Sequence, residues 1–552
     1  MNNLRISYRL NIVDIIIMLT TVGVVSLCYI NMEAQYGMLV VAAPMLMVYL
    51  SVRLFSVITP RRLPIVFLLL LVIICLIENC LGLLELSGLK ESNHYLYAMT
   101  GSFINPGPYG GFLATCLSLF VAYNTQNMHS SKPYVISKLL FWSITVTSVI
   151  TVIILPATQS RSAILALGFS LILLVLTTES LKTRVIPVLK KYAVWIILGL
   201  SLLGTGAYLM KRTSADGRLF MDKICLRAMF ANGWKGAGLG HFGGSYGEAQ
   251  ADYFKRQIEV DGDLDLKALN GEYLIADCPE NAFNEYLFIG VEAGPIAMLL
   301  LIAIIVFAIV LSLKNGTIWC YGLVVFSVFA LFSYPFHVVQ FQLLFPALLA
   351  FCVSDIKEEK RRGNALIGVS LLVVLLIGLS ITRILKQPVV DEYKRAVSLW
   401  NKAEQWYSME YYDYVIEDCE KLLPCLDNDP EYLFAYGQSL NKTGLFERSD
   451  SVLQMGIKMS SDPMFWIVMG NNSLELKKYR EAEERYKHAF YMVPNRLYPL
   501  CLLAELYYAE GDTNRFLDMA ERIESFVPKV ESQNTERLRH RIRELKSGVI
   551  NN

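Results

Sequence analysis

The sequence predicts an all-α chain in two parts: a polytopic membrane domain of about eleven transmembrane helices, then a water-soluble helical solenoid. Three observations carry that reading. Of 552 residues 54% are hydrophobic and 18% charged, with a mean hydropathy of +0.42, a composition of membrane proteins rather than soluble enzymes. The apolar character stops near residue 387, after which the chain is charged and soluble-looking. In that last part a pattern of small and aromatic residues recurs about every 34 positions. The domains are therefore 1–386, membrane-embedded, and 387–552, repetitive and helical. The formal net charge of +1 gives no sign of nucleic-acid binding.

Apolar stretches near the roughly 20 residues that cross a bilayer fall at about 11–30, 37–58, 63–84, 109–123, 138–157, 162–178, 192–210, 286–312, 317–333, 337–354 and 364–384. No small-residue cleavage site follows the first, so it reads as an uncleaved helix. Basic residues in the short loops set the orientation. With a cytoplasmic N-terminus the inner set holds Arg5, Arg9, Arg61, Arg62, Lys132, Lys138, Lys182, Arg184, Lys190, Lys191, Lys314, Lys357, Lys360, Arg361 and Arg362. The short outer loops then hold only Lys90 and Arg161. Eleven crossings put a large loop, about 211–284, and the C-terminal domain outside, which in a bacterium with two membranes is the periplasm. The expected location is the inner membrane.

The 11 cysteines match neither a zinc motif nor a disulfide framework. A Cys225–Cys278 bridge across the loop is allowed, but isolated thiols packed as small hydrophobes are the favoured reading. The 6 histidines are scattered, so no metal and no cofactor is expected.

In the tail, Trp466, Met469 and Gly470 followed by Ala482, Tyr486, Ala489 and Pro494 fit a tetratricopeptide repeat, with Gly437 and Ala504 repeating the register. The small residue lets two antiparallel helices approach and the aromatic fills the gap. About three repeats are expected, flanked by helices near 391–421 and 530–547. Such solenoids commonly bind a partner protein in a concave groove; the competing reading is a cap that stabilises the membrane domain.

The predicted topology places four unusual stretches outside: GSFINPGPYGG (101–111), TQSRSA (158–163), PENAFNEYL (279–287) and SYPF (333–336). Helices entering the membrane from that side present free N–H groups and positive partial charge. Arg161 lies at such a helix start, with Ser160 or Ser162 able to cap it. A cation there destabilises its helix unless an anion sits in the same place, so Arg161 reads as half of an anion cradle; the alternative is an arginine snorkelling to headgroups. In the large loop Arg218, Leu219, Asp222, Leu226 and Met229 repeat at helical spacing, with Arg218 near the helix start and Arg212 and Arg227 as alternatives for its role. The glycines at 233–244 permit tight turns and close backbone approach, and 248–280 reads as an acidic, solvated loop.

These residues resemble the bacterial O-antigen ligases and the related O-antigen polymerases and protein O-oligosaccharyltransferases. The resemblance runs from about residue 101 to 351 and rests on Ser160–Arg161 opening a membrane helix, on Gly217–Arg218 followed by a glycine-rich run ending at Phe242, and on N-E-Y-L-x-x-x-x-E-x-G at 284–294. It implies metal-independent, inverting glycosyl transfer at the periplasmic face. The donor is a glycan on undecaprenyl pyrophosphate; the acceptor is a hydroxyl of lipid A core, another glycan or a protein. Two arginines suit the pyrophosphate because guanidinium binds phosphate oxygens bidentately and attracts them more as charge develops on the leaving oxygen. Arg161 and Arg218 are the residues expected to do so, with Ser160, Asn105, Asn284, Arg212 and Tyr334 as substrate-binding candidates. Many members of that family carry histidine before the asparagine of the last motif, whereas this chain has Phe283. Candidate bases are then Glu285 and His241, ahead of Glu280 and His337. Glu285 reads equally as a carboxylate stabilising its own helix dipole, and Asn284 as a helix cap.

Two other classes compete: a transporter of the lipid-linked glycan, which would place charged sites near the bilayer midplane, and an assembly scaffold acting through its repeats.

Overall fold

The computed structural model describes residues 14, 17, 35–59, 62–127, 135–193, 198, 212–260, 262–354 and 388–551. Among these the chain is helical almost throughout; the β structure is one two-stranded antiparallel hairpin pairing Glu259 with Leu264 and Val260 with Asp263. It divides into two compact units. One comprises 1–205, 283–286 and 299–385, the other 206–282, 287–298 and 386–552. The large loop belongs with the repeats.

Among the described residues three helices are long and apolar enough to cross a membrane: Arg62–Leu86, Lys138–Thr158 and Glu285–Asn315. Arg161–Thr177 and Glu179–Lys191, bent by 112°, make a fourth if they are one span, and Pro44–Ser56, Trp319–Phe329 and Val339–Val353 are shorter apolar helices. Nearly all of the expected stretches 11–30 and 192–210, and all of 364–384, lie outside the described residues. Pro106–Asn127 is buried from Pro108 to Phe120. Because neighbouring helices cover it, it tolerates small and polar residues: a Cβ on Gly111 would meet the Phe329 ring at 2.7 Å, and one on Gly322 would meet Leu119 at 2.9 Å, the close approach that glycine permits between membrane helices.

Contacts distinguish the two ends of this unit. At one end Arg53 Nε donates to Asp14 Oδ1 at 2.8 Å and Arg53 Nη1 to Ser354 Oγ at 3.1 Å, while Thr177 and Tyr321 share a hydroxyl hydrogen bond at 2.8 Å. At the other end Glu85 accepts from the Thr100 and Gly101 N–H groups at 2.7 and 2.9 Å. Glu78 accepts there from the Ser102 N–H at 3.0 Å. Those two carboxylates, Glu85 6% and Glu78 5% exposed, hold the turn that leads into Pro106–Asn127.

The second unit corrects the reading of 248–280 as a solvated loop. Phe242–Ile258 is an α-helix with Tyr246, Gln250, Ala251, Tyr253, Phe254 and Ile258 buried, and the segment beyond it holds two 3₁₀ turns. Ala251, Ile258 and Leu264 share one apolar cluster with Tyr486, Phe490 and Leu500 of the repeats. The acidic residues of this stretch are surface groups on a packed element. Arg212–Ala231 is one helix, so Arg218 lies in its second turn and not at its start.

The repeat domain is four helix pairs: Pro388–Ser408 with Tyr412–Leu426, Pro430–Lys442 with Phe446–Gly456, Met464–Glu475 with Tyr479–Met492, and Tyr498–Glu510 with Thr513–Ser525, followed by Gln533–Asn551. Left-handed residues divide the pairs at Glu410, Gly444, Lys477 and Gly511, spacings of 34, 33 and 34. The flank expected as one helix over 391–421 is therefore a first pair, hidden because glutamate, not glycine, occupies its turn. Gly470 lies where a Cβ would come within 2.4 Å of the Tyr486 ring, the small-and-aromatic fit that the pattern requires.

Candidate functional site

Four sequence-predicted stretches meet at the Glu85 end of the first unit. Ser160 stands at the N-cap of Arg161–Thr177, but its hydroxyl makes no capping bond; it donates to the Gly107 carbonyl at 3.3 Å. The expected cap is thus a tie between the arginine's helix start and the 101–111 turn. Gly110 permits the approach, since a Cβ there would lie 2.7 Å from Ser160 Cβ. Two residues before Gly107, Asn105 Nδ2 donates to the Tyr334 hydroxyl at 3.2 Å. Arg161 is exposed at that helix start.

Glu285 opens Glu285–Asn315 and is 1% exposed. Its backbone N–H donates to the Ala330 carbonyl at 2.9 Å. Its Oε1 accepts from the Phe336 N–H at 2.6 Å and lies 3.4 Å from His337 Nδ1. Asn284 is 9% exposed. Phe283 packs its ring on Tyr334, centroids 5.5 Å apart, and Tyr334 lies 6.4 Å from the His337 ring. Asn105, Glu285, Tyr334 and His337 therefore line one wall, and Ser160 ties Arg161's helix start to the neighbouring turn.

The remaining candidates lie in the second unit. Arg218 is half-buried in Arg212–Ala231; Arg212 is the first residue of that helix. Arg227 lies with its guanidinium 4.8 Å from the Tyr253 ring centroid, a cation–π contact. His241 precedes Phe242–Ile258, with Nδ1 2.9 Å from the Leu239 carbonyl oxygen. The glycine run and the 284–294 motif are two halves of one clasp. Ala237 N–H donates to the Val291 carbonyl at 2.8 Å and Gly238 N–H to the Glu292 carbonyl at 2.9 Å, while the Glu292 carboxylate accepts from Gly240 N–H at 2.9 Å and Phe242 N–H at 3.3 Å. Gly294 and Gly236 have φ of 87° and 73°. A Cβ on Gly294 would fall 2.1 Å from the Trp234 carbonyl oxygen.

This body is anchored on the repeats. The helix Phe242–Ile258 presents Gly243 and Gly244 to the Met459 and Lys458 carbonyls, where a Cβ would lie 2.3 and 2.2 Å away. Asn495 Nδ2 donates to the Tyr273 and Ala276 carbonyls at 2.8 Å each, and Lys529 pairs with Asp277 at 3.0 Å. Cys225 is buried and Cys278 half-buried, both free thiols. Burial pushes both up, so neither is a ready nucleophile. Although burial opposes it, hydrogen bonds from Tyr253, Lys223 and Asn270 hold Glu272 below the usual carboxylate range.

Glu78, Glu85 and Glu292 were not singled out from the sequence. The signal for the first two is a carboxylate inside an apolar run, where an unpaired charge is expensive. Glu292 sits in the quoted motif, but its role depends on a turn 50 residues away.

Compared with known proteins, the chain matches no family model and no curated protein.

Proposed function

We propose that this protein is an O-antigen ligase-like glycosyltransferase of the bacterial inner membrane, built of about eleven crossings, with its loop and repeats in the periplasm. It moves a glycan from undecaprenyl pyrophosphate to an acceptor hydroxyl. The observation that carries this reading is the wall at the Glu85 end of the first unit. Arg161 opens a helix whose preceding residue, Ser160, is tied to the 101–111 turn that also carries Asn105 to Tyr334, at one end of the unit and not at its midplane, which favours an enzyme open to one side over a transporter. Basic residues concentrate in the loops that belong to the opposite end, which makes this end the outer one.

Arg161, with the positive end of its own helix, binds pyrophosphate and gains attraction as the bond to the sugar breaks; the second guanidinium is the one that the family resemblance assigns to Arg218. Asn105, Asn284, Arg212 and Tyr334 orient the donor and the acceptor. Polymerase and protein O-oligosaccharyltransferase are the same chemistry with another acceptor, and the extensive contacts of the repeats with the chain's own loop make their first role structural.

The test is deletion of the gene followed by gel profiles of lipopolysaccharide, capsule and glycoproteins. Loss of one ladder or glycoprotein mass, restored by the wild-type chain and not by Arg161→Ala, is expected, and identifies the acceptor class. Unchanged profiles in the deletion strain reject the reading.

A further inference from the structure

The helix Arg212–Ala231 is apolar on two opposite faces, and its own body uses one of them. Phe220, Ile224, Cys225, Ala228 and Met229 are buried in a cluster with Phe242, Tyr246 and Phe254. On the other face Leu219, Leu226 and Phe230, at i, i+7 and i+11, form one line, and Trp234 and Leu239 follow in the glycine run. Exposure across these five runs from 42% at Leu226 to 73% at Trp234. Lys223 shares that face, but its ammonium is engaged by Tyr253 and Glu272 at 2.8 and 2.9 Å. Single exposed apolar residues are ordinary on a protein surface; five large ones in succession mark a contact.

What covers the line follows from where it lies. Glu285–Asn315 is kinked at Gly294, and the stretch beyond the kink, about 20 residues and roughly 30 Å long, suffices for a bilayer crossing. The turn carrying Trp234 is clasped to that kink. Gly294 lies against the Trp234 carbonyl, closer than a Cβ allows, and Ala237 N–H donates to the Val291 carbonyl at 2.8 Å. Two residues past the kink, Ile296 is exposed on the span. Trp234 therefore sits at the depth where the crossing begins, the level that tryptophan favours. At its other end the helix follows directly on the apolar stretch 192–210, which the sequence predicts to be a crossing. Both ends are then held at one bilayer surface, and the helix lies along it. Arg227 and Lys235 are exposed beside the line, where they suit phosphate headgroups, whereas Asp222, which borders it, is half-buried. We propose that this second face of Arg212–Ala231, with Trp234, is a membrane-binding surface that lies in the headgroup–acyl boundary where Glu285–Asn315 enters the bilayer. The inference requires that helix to cross the membrane and is independent of the glycosyl-transfer chemistry.

The experiment uses the full chain reconstituted in nanodiscs of phosphatidylethanolamine and phosphatidylglycerol that contain no polyprenyl lipid. The emission of Trp234, one of 7 tryptophans, is obtained by difference from Trp234→Phe. Its quenching is measured with lipids brominated near the headgroup end of the acyl chain and with aqueous iodide. Bromolipid is expected to remove about half or more of that emission, as for a side chain seated about 5–10 Å into the boundary, and iodide to leave it nearly unchanged. Leu226→Glu combined with Phe230→Glu is expected to reverse this preference while the loop–repeat body keeps its resistance to proteolysis; should that variant fail to fold, the wild-type quenching decides. Quenching by iodide and not by bromolipid overturns the proposal. Protection from both quenchers means that protein covers the face, and overturns it as well. Bromolipid quenching that appears only after polyprenyl phosphate is added assigns the face to the donor's tail and likewise overturns it. None of these readouts depends on product formation, so this inference and the transferase reading fail separately.

Discussion

Glu292 places one carboxylate oxygen on two backbone N–H groups, Gly240 and Phe242, and so both closes the glycine run and caps a helix. Glu292→Ala is expected to lower stability by about 1–3 kcal/mol, the cost of leaving buried donors unmatched, whereas Glu292→Gln retains an acceptor and loses less; thermal unfolding of the detergent-solubilised chain separates the two. Arg161 makes a different demand. Arg161→Lys keeps the charge but loses the planar fork, so product formation should fall about tenfold or more with stability unchanged, against near-complete loss with alanine. Arg161 was legible because arginine between two apolar runs needs water or an anion. Glu285 was visible as a carboxylate in a motif, but its pairing with His337 was not, because 52 residues separate them and nothing local to either residue encodes the contact.

At the scale of elements, glycines act in two ways that substitution can tell apart. Gly511 has φ of 82° and nothing near its missing Cβ, so Gly511→Ala should cost about 1–2 kcal/mol from backbone strain alone. Gly244 lies against the Lys458 carbonyl on a regular helix; Gly244→Ala forces the helix off the repeats, and limited proteolysis should then cut within 262–280 at protease levels that leave the wild-type chain intact. The repeats were legible wherever glycine marks the turn, as at Gly444 and Gly511. They were obscured where Glu410 occupies the same left-handed position, whereas the pair that turns at Lys477 was read from Gly470, Ala482 and Tyr486 instead. The Phe242–Ile258 helix was missed for another reason: beside Phe242, Phe254 and Ile258 its buried residues are tyrosine, glutamine, alanine and glycine, whose burial depends on a partner far along the chain.

For the whole molecule, the loop–repeat body is held by carboxylates in ion pairs, and its pH response follows. Asp277 is held below its ordinary range, burial opposing and the Lys529 ammonium and Cys278 N–H outweighing it. Glu483 is held down likewise by Lys487, Tyr507 and Arg515 against burial. A depressed carboxyl contributes stability above its unfolded value, so stability should be level from neutral pH to about pH 5 and fall below about pH 4.5 as the pairs protonate. Denaturant titrations read by tryptophan fluorescence at successive pH values check this, and Asp277→Asn should flatten the acid limb. The helical class was readable from composition. Which parts cohere was not, since the apolar stretch at 286–312 looks like a divider between loop and repeats.

That union has a temporal side. Residues 212–282 leave the ribosome about 210 residues before the helix ending at Met492, against which they pack. At ordinary bacterial synthesis speeds the gap is roughly 10–40 s. In the topology proposed here, the glycine-lined helix waits beyond the bilayer through that interval without its counterpart, so a chain stopped before the repeats presents a permanently unfinished surface to proteolytic quality control.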